Sequence, residues 1–176
     1  MLGKGVVGKS SLVYRFINKE NPEEHDATIE DRYTSVESID GINTTIEILD
    51  TAGEEDYQNL LDMWINYAEG FLLVFAINDK ESFNALKGKY DRIMKVKGTN
   101  CPIILVGNKC DLEDKRKVTK EEGESYAKSK GVDFMEVSAL KTINVKETFV
   151  KLAHNLLEKK VTQKTEAGGD KCCIIF

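Results

Sequence analysis

Residues 3–10 read Gly3-Lys4-Gly5-Val6-Val7-Gly8-Lys9-Ser10, which matches the phosphate-loop pattern GxxxxGKS. The glycines allow a tight turn and a close approach to phosphate oxygens, and the backbone N–H groups at the start of the following helix attract anions. Lys9 is expected to reach the β- and γ-phosphates, and Ser10 to offer its hydroxyl to Mg²⁺. The loop predicts a nucleoside triphosphate ligand, although a glycine-rich surface turn before an ordinary helix looks the same locally.

Apolar runs bounded by turns alternate with helical periodicity along the chain, which predicts an α/β fold with a mostly parallel sheet flanked by helices. Two of these runs are continuously apolar, as expected of strands buried on both faces. The predicted strands are 33–39, 44–49, 70–77, 102–106 and 134–137, and the first two form a hairpin around Asp40-Gly41. The predicted helices are 11–17, a helix capped by Thr119 and Glu122 that ends near Lys130, and 145–156.

Composition limits the function. The 176 residues are 41% hydrophobic, which suits one globular domain with one core. A net charge of −5 argues against a nucleic-acid polymer as partner. We also expect the chain to be a monomer. The four cysteines form neither a disulfide framework nor a zinc pattern, which favours a reducing compartment. Residues 1–160 are predicted to form the domain. Residues 161–176 are predicted to form a flexible tail, because the composition turns polar and includes Gly168-Gly169.

Three motifs follow predicted strands. Asp50-Thr51-Ala52-Gly53 places an acid at a strand's carboxyl end, where it would hold Mg²⁺ through water, and Gly53 would turn a peptide N–H toward a γ-phosphate. In Asn108-Lys109-Cys110-Asp111, the carboxylate of Asp111 would accept two hydrogen bonds from guanine, a donor pair that adenine lacks. The first motif has a plain alternative, since many strands end in Asp before a glycine turn. For the second, the alternative is an Asn that caps a helix beside a solvent-exposed Lys. Ser138-Ala139-Leu140 would close over the base through backbone N–H groups.

The four motifs, in this order and with the last three each after a predicted strand, resemble those of the small GTPases. Residues 28–33, Thr28-Ile29-Glu30-Asp31-Arg32-Tyr33, resemble the effector loop of the Ras subfamily, and the resemblance runs from Gly3 to about Lys160. It implies a Ras-like P-loop NTPase fold and a switch that binds GDP or GTP with Mg²⁺ and hydrolyses GTP. The partners it implies are effector proteins, an exchange factor and a GTPase-activating protein.

The resemblance also implies roles for individual residues, taken from the Ras scheme of phosphoryl transfer. It assigns nucleotide binding to Gly3, Gly5, Val6, Val7, Gly8, Lys9, Ser10, Ser11, Thr28, Asp50, Gly53, Asn108, Lys109, Asp111, Ser138, Ala139 and Leu140. It assigns Mg²⁺ binding to Ser10, Thr28 and Asp50, catalysis to Lys9, Thr28, Gly53 and Glu54, and effector contacts to Ile29, Glu30, Asp31, Arg32 and Tyr33. Residues 21–31 and 53–67 become switch segments that GTP orders. Trp64, in the second segment, is expected to change its fluorescence with the bound nucleotide.

The chain departs from the family pattern in three ways, at four positions. Glu54 stands where Ras proteins carry a water-orienting Gln, so we expect slow intrinsic hydrolysis and a weak response to an arginine-finger activator. Asn21 stands where an aromatic ring often covers guanine, so we expect faster nucleotide exchange. Lys4 and Val6 are bulkier than usual, whereas Gly5 is retained.

The last four residues, Cys173-Ile174-Ile175-Phe176, form a CaaX box, and a final Phe favours geranylgeranyl over farnesyl. The nearby lysines are interrupted by acids, so Cys172 is the better candidate for a second membrane signal, by palmitoylation. These residues predict attachment to the cytoplasmic face of the plasma membrane or of an internal membrane.

Two alternatives remain at this stage. Glu54 leaves open a hydrolysis-poor, GTP-loaded binding module, and a P-loop ATPase or nucleoside kinase is disfavoured by Asp111. The phosphate loop also needs a preceding strand, yet only Met1 and Leu2 precede it, so the central N-terminal strand is expected to be truncated. Losing its buried side chains would remove about 5–10 kcal/mol of stability. We therefore expect either that the natural polypeptide begins upstream or that nucleotide holds a marginally folded chain together.

Overall fold

A computed structural model describes residues 1–17, 30–51, 58–99, 101–163 and 172–175. The helices are α1 (Lys9–Phe16), α2 (Gln58–Tyr67), α3 (Lys80–Lys97), α4 (Lys120–Lys130) and α5 (Val145–Gln163), with a 3₁₀ turn at Glu113–Lys115. The strands are β1 (Glu30–Ile39), β2 (Ile42–Thr51), β3 (Phe71–Ala76), β4 (Ile103–Asn108), β5 (Asp133–Glu136) and β6 (Cys172–Ile175).

The strands form two groups of three. The predicted hairpin is confirmed: β1 and β2 pair antiparallel from Glu30↔Thr51 to Ile39↔Ile42. Its turn residues Asp40 and Gly41 have φ of 52° and 77°, the left-handed conformations of a tight hairpin turn. In the second group, β3, β4 and β5 are parallel neighbours. The predicted α/β fold with a mostly parallel sheet is therefore confirmed.

Met1 and Leu2 connect the two groups. The Met1 amino group donates to the Leu49 carbonyl at 2.5 Å, and Leu2 forms a parallel bridge with Leu73 of β3. Leu2 also donates to the Leu72 carbonyl at 3.0 Å and accepts from the Val74 N–H at 2.8 Å. These two residues therefore occupy the strand position between β2 and β3, directly before the phosphate loop.

Two described elements lie within residues 161–176, for which the sequence predicts a flexible tail. Helix α5 extends to Gln163, beyond the predicted domain boundary at Lys160. Residues 172–175 form strand β6, which pairs in parallel with β2. The polar composition of 161–171 concealed both features, since β6 is only four residues long.

The sheet is covered on both faces, and β3 shows why its sequence is continuously apolar. Its alternate residues Leu72 and Val74 pack with α1 and α5, whereas Leu73 and Phe75 pack with α2 and α3. On the first face, the rings of Phe16 and Phe149 stack with centroids 4.3 Å apart. Within the described ranges, no helix combines the length and apolar character needed to cross a bilayer.

Helix α4 begins as predicted. Thr119 accepts a hydrogen bond from the Glu122 N–H at 3.2 Å, and the Glu122 carboxylate accepts from the Thr119 N–H at 3.0 Å. This capping box satisfies two backbone donors that the helix itself leaves unpaired.

We expect Thr119→Ala to lower the free energy of unfolding by about 1 kcal/mol, because the acceptor for the Glu122 N–H is lost. Thr119→Ser retains the hydroxyl and should stay near the wild-type value. Equilibrium urea denaturation at fixed nucleotide and Mg²⁺ concentrations measures both variants. An equal loss in the serine variant would contradict the role of the cap.

Candidate nucleotide-binding site

The sequence motifs meet at one edge of the sheet. The phosphate loop follows Leu2, Asp50 lies near the end of β2, and Asn108 ends β4. The segment from Ser138 follows β5, so all four motifs lie at the carboxyl ends of strands. This is where open α/β sheets bind ligands.

The phosphate loop has the backbone shape of an anion-binding concavity. Val6 and Gly8 have φ of 64° and 90°, and Gly8 begins α1 without a side-chain cap. Val6 is 92% exposed, so its bulk points away from the core. Ser11 lies in the first turn of α1, beside Lys9 and Ser10.

Two loop glycines are also required by their neighbours in the sheet. A Cβ on Gly3 would lie 2.3 Å from the Val74 carbonyl oxygen. A Cβ on Gly8 would lie 2.6 Å from Asn108 Nδ2. The sequence pattern explains these glycines by phosphate access alone, whereas the structure adds contact with β3 and β4 as a second reason.

Lys9 is buried and lies across the loop. Its Nζ donates to the Lys4 carbonyl at 3.1 Å and to the Gly3 carbonyl at 3.4 Å. Burial lowers the pKa of Lys9 to about 8, although the negative charge of Asp50 opposes this shift. A buried ammonium at the start of a helix fits a polyanionic ligand such as a chain of phosphates.

Ser10 and Asp50 form a corner that fits Mg²⁺. The Ser10 hydroxyl donates to Asp50 Oδ2, while Asp50 Oδ1 is buried and has no hydrogen-bond partner among the described residues. Burial raises the pKa of Asp50, and the bond from Ser10 partly opposes this shift. A buried carboxylate with an unsatisfied oxygen beside a hydroxyl suits a hard divalent cation.

Asn108 connects the phosphate loop to the base-binding segments. Its side chain is buried, and Nδ2 donates to the Val7 carbonyl at 2.8 Å. Its Oδ1 accepts from the Lys109 N–H at 2.8 Å and from the Ala139 N–H at 3.4 Å. The sequence interpretation placed Asn108 in the site but did not predict that it ties three segments together.

Asp111 lies where a guanine-binding carboxylate is expected. Ser138 donates to Asp111 Oδ1 at 2.5 Å and accepts from the Lys141 N–H at 2.9 Å, so the segment after β5 fixes this side chain. Lys109 has φ of 65° and donates from Nζ to the Val6 carbonyl at 2.8 Å. Leu140 is 69% exposed beside them.

Arg15 is a positioning residue that sequence reasoning missed. From α1 it donates to the Ala139 carbonyl at 3.0 Å, which ties the helix behind the phosphate loop to the base-binding segment. A lone arginine within a predicted helix gives no sequence signal for such a bond.

The expected effector residues fall into two groups. Asp31 and Arg32 are exposed on β1, and Arg32 lies 4.8 Å from the ring centroid of Tyr67 in α2. Glu30 instead accepts a hydrogen bond from Trp64 Nε1 at 2.8 Å. Tyr33 meets Tyr14 edge to face, and burial raises the pKa of its hydroxyl. Thr28, Ile29, Gly53, Glu54 and Asn21 lie outside the described residues.

We expect Asn108→Ala to release bound nucleotide at least about tenfold faster, because each buried group left unpaired costs about 1–3 kcal/mol and the loop loses its link to β4. Dissociation of a fluorescent GDP analogue measures this rate. Asn155→Ala is the matched control, since Asn155 donates to Asp133 at 3.2 Å from α5 and does not contact the phosphate loop. Unchanged release from the Asn108 variant would contradict the connecting role.

Comparison with known proteins agrees with this geometry. The sequence description of the Ras family matches residues 1–158. Over 188 aligned residues the chain is 39% identical to the Ras-related protein O-RAL of Diplobatis ommata, covering 99% of this chain and 91% of that protein. It is 42% identical to the human Ras-related protein R-Ras over 153 residues, covering 86% and 70%. It is 40% identical to the Ras-like protein rasB of Dictyostelium discoideum over 174 residues, covering 96% and 88%. With the motifs assembled at one sheet edge, these matches show that the chain belongs to the Ras family of small GTPases, molecular switches that use GDP, GTP and Mg²⁺.

Proposed function

We propose that this chain exchanges GDP for GTP, hydrolyses GTP at a slow intrinsic rate and signals through effectors from a lipid-anchored position. The observation that carries the proposal is that the segments bearing Lys9, Asp50 and Asp111 lie at one edge of the sheet, where Asn108 bonds the phosphate loop to the segment after β5. This arrangement would supply a phosphate site, a cation site and a base-reading carboxylate at that edge.

Base selection is the task of Asp111. Its carboxylate would accept from the N1–H and amino groups of guanine while Ser138 keeps it oriented. Against adenine, the carboxylate would meet no matching donor pair. Sites that leave a buried polar group unpaired discriminate by about 10⁴–10⁵.

The phosphate side divides its work among three residues. Lys9 would leave its carbonyl partners to bind the β- and γ-phosphates, whose negative charge would stabilise its ammonium form in the buried site. Ser10 and Asp50 would hold Mg²⁺, together with Thr28 when GTP is bound. The ion, when present, neutralises charge that develops on the phosphate oxygens.

Glu54 governs the proposed slow hydrolysis. A carboxylate there can accept a hydrogen bond from the attacking water but lacks the amide donor of a Gln, and it would add negative charge beside a polyanion. Glu54 lies outside the described residues, and its position in the sequence supports this role. The same feature supports a second candidate, in which the GTP-loaded chain recruits effectors with little hydrolysis.

The proposed effector surface includes the exposed Asp31 and Arg32 of β1. Support comes from the link between Glu30 and Trp64, which joins this strand to α2 in the second switch segment. A nucleotide-dependent movement of α2 would therefore act on the start of β1. Exchange factors and activating proteins complete the proposed cycle.

We further propose that Cys173 is prenylated, with geranylgeranyl as the favoured lipid, and that Cys172 is palmitoylated as the second signal. The protein would then work at the cytoplasmic face of the plasma membrane or of an internal membrane. The CaaX sequence is the support for this step.

We expect Asp111→Asn to weaken GDP binding by about 10²-fold or more, because the amide offers donors where guanine also offers donors. Asp114→Asn removes the same charge from an exposed residue three positions away and should bind GDP normally. Competition of GDP and ADP against a fluorescent GDP analogue measures both variants. Equal competition by ADP in the wild type would refute the guanine assignment.

We expect Glu54→Gln to increase the response to an arginine-finger activator, which supplies about 10³–10⁵-fold in related systems. Single-turnover phosphate release from GTP, with and without the catalytic domain of a Ras-activating protein, measures the response. Glu55→Gln is the neighbouring control. No detectable turnover in the wild type would favour the effector-recruiting module, and no gain in the Glu54 variant would show that this position does not limit the rate.

A further inference from the structure

The tail strand β6 occupies the inner edge of β2. Residues 172–175 pair in parallel register with residues 45–48, from Thr45↔Cys172 to Ile48↔Ile175. The other edge of β2 is fully paired with β1, so β6 makes β2 an interior strand. Without β6, the backbone groups along residues 45–48 would lose these partners beside the buried Ile46 and Ile48. Unpaired buried backbone groups are costly, which favours occupation of this edge.

Two separate segments, β6 and then Met1-Leu2, occupy the strand position beside β2 one after the other. Ile175 pairs with Ile48, and at the next position of β2 the Leu49 carbonyl accepts from the Met1 amino group. Thr51 then donates to the Met1 carbonyl at 2.8 Å. The same strand position beside β2 is therefore occupied first by β6 and then by Met1 and Leu2, which lead into the phosphate loop.

The path of the chain suits this placement. Lys160, near the end of α5, pairs with Glu69 at 2.8 Å, immediately before β3, so α5 ends at the amino edge of the sheet. Residues 164–171 span at most about 26–29 Å when extended, enough to return to a neighbouring strand. A helix followed by a parallel strand is the usual connection of α/β folds. The sequence Cys-Cys-Ile-Ile, apolar and partly β-branched, suits an interior parallel strand.

We propose that residues 45–48 of β2 form a strand-docking site for residues 172–175 of the same chain, and that docking and prenylation of Cys173 exclude each other. The second half rests on the proposed lipidation. In that reaction the Cys173 sulfur attacks the first carbon of an isoprenoid diphosphate: a C–S bond forms, the C–O bond to diphosphate breaks, and the thiol proton passes to solvent. A transferase reads the four terminal residues as a free end, so these residues must first leave the β2 ladder.

Docking is tested by a disulfide in register. Cα atoms of paired strands lie about 4.7–5.5 Å apart, within the range that a disulfide bridges. In the full chain, Thr45→Cys should therefore form a disulfide with Cys172 under mild oxidation, identified by peptide mass spectrometry. Asn43→Cys, on the same strand but outside the β6 register, is the matched control. Cross-linking no greater than in this control would overturn the docking site.

Exclusion is tested by prenylation rates. Purified geranylgeranyltransferase with geranylgeranyl diphosphate should modify the full chain about tenfold more slowly than a synthetic peptide of residues 164–176, if about one tail in ten is undocked. The oxidised Thr45→Cys chain should remain unmodified until it is reduced. Cys173→Ser should abolish modification in both chain and peptide.

The possible failures are distinct. Equal rates for chain and peptide, with the disulfide formed, would overturn exclusion and leave docking intact. No modification of either chain or peptide would refute the proposed lipidation and, with it, exclusion. The disulfide result stands on its own in both cases, so docking is judged separately from function.

Discussion

The buried amide of Asn108 is the contact on which the site depends. One side chain of β4 binds the phosphate loop through Val7 and the base-binding segment through Ala139. The phosphates and the base of a nucleotide lie at opposite ends of the ligand, so each end needs its own protein segment. A single fixed amide sets the spacing between those segments, and Arg15 and Lys109 repeat the connection from α1 and from the loop after β4. These segments are therefore preorganised by bonds within the protein.

The parallel sheet explains why these segments meet. Strands β3, β4 and β5 pair in parallel, and both faces of β3 are buried, with α1 and α5 on one face and α2, α3 and α4 on the other. The loops that follow the parallel strands therefore collect at one edge of the sheet. Met1 and Leu2 extend this order across the gap to β2. Because Leu2 is held on β3 by two backbone hydrogen bonds, the glycines that follow begin from a fixed position.

The sequence was sufficient for the features that repeat or that carry strong local signals. The capping box at Thr119, the hairpin turn at Asp40-Gly41 and the apolar strands of the core all follow from local pattern, and the structure has them. Helix α3 was not predicted, although Asp79 caps it and Phe83, Leu86, Tyr90 and Ile93 recur at helical spacing. The charged residues on its exposed face make the apolar periodicity of this helix harder to recognise in the sequence.

What the sequence could not supply is contact between distant segments. Gly3 is required by the Val74 carbonyl, and this proximity exists only once β3 lies beside Leu2. Trp64 reaches Glu30 across thirty-four positions, and no local pattern encodes that bond. Strand β6 is the same case, since four apolar residues after a polar segment indicate a lipid signal as readily as a strand.

The electrostatics of the site give the ligand a part in folding. Lys9 and Asp50 are both buried. Burial lowers the pKa of Lys9 and raises the pKa of Asp50, so it favours the uncharged form of each. Desolvation of these two opposite charges destabilises the folded chain. Within the protein, Lys9 donates to loop carbonyls and Asp50 accepts from Ser10. A triphosphate and a divalent cation supply Lys9 with anions and Asp50 with a positive charge, and neither ligand finds this arrangement in the unfolded chain. Binding to the folded state alone stabilises it by mass action. The groups proposed to recognise the nucleotide are thus the same groups whose burial is unfavourable without it.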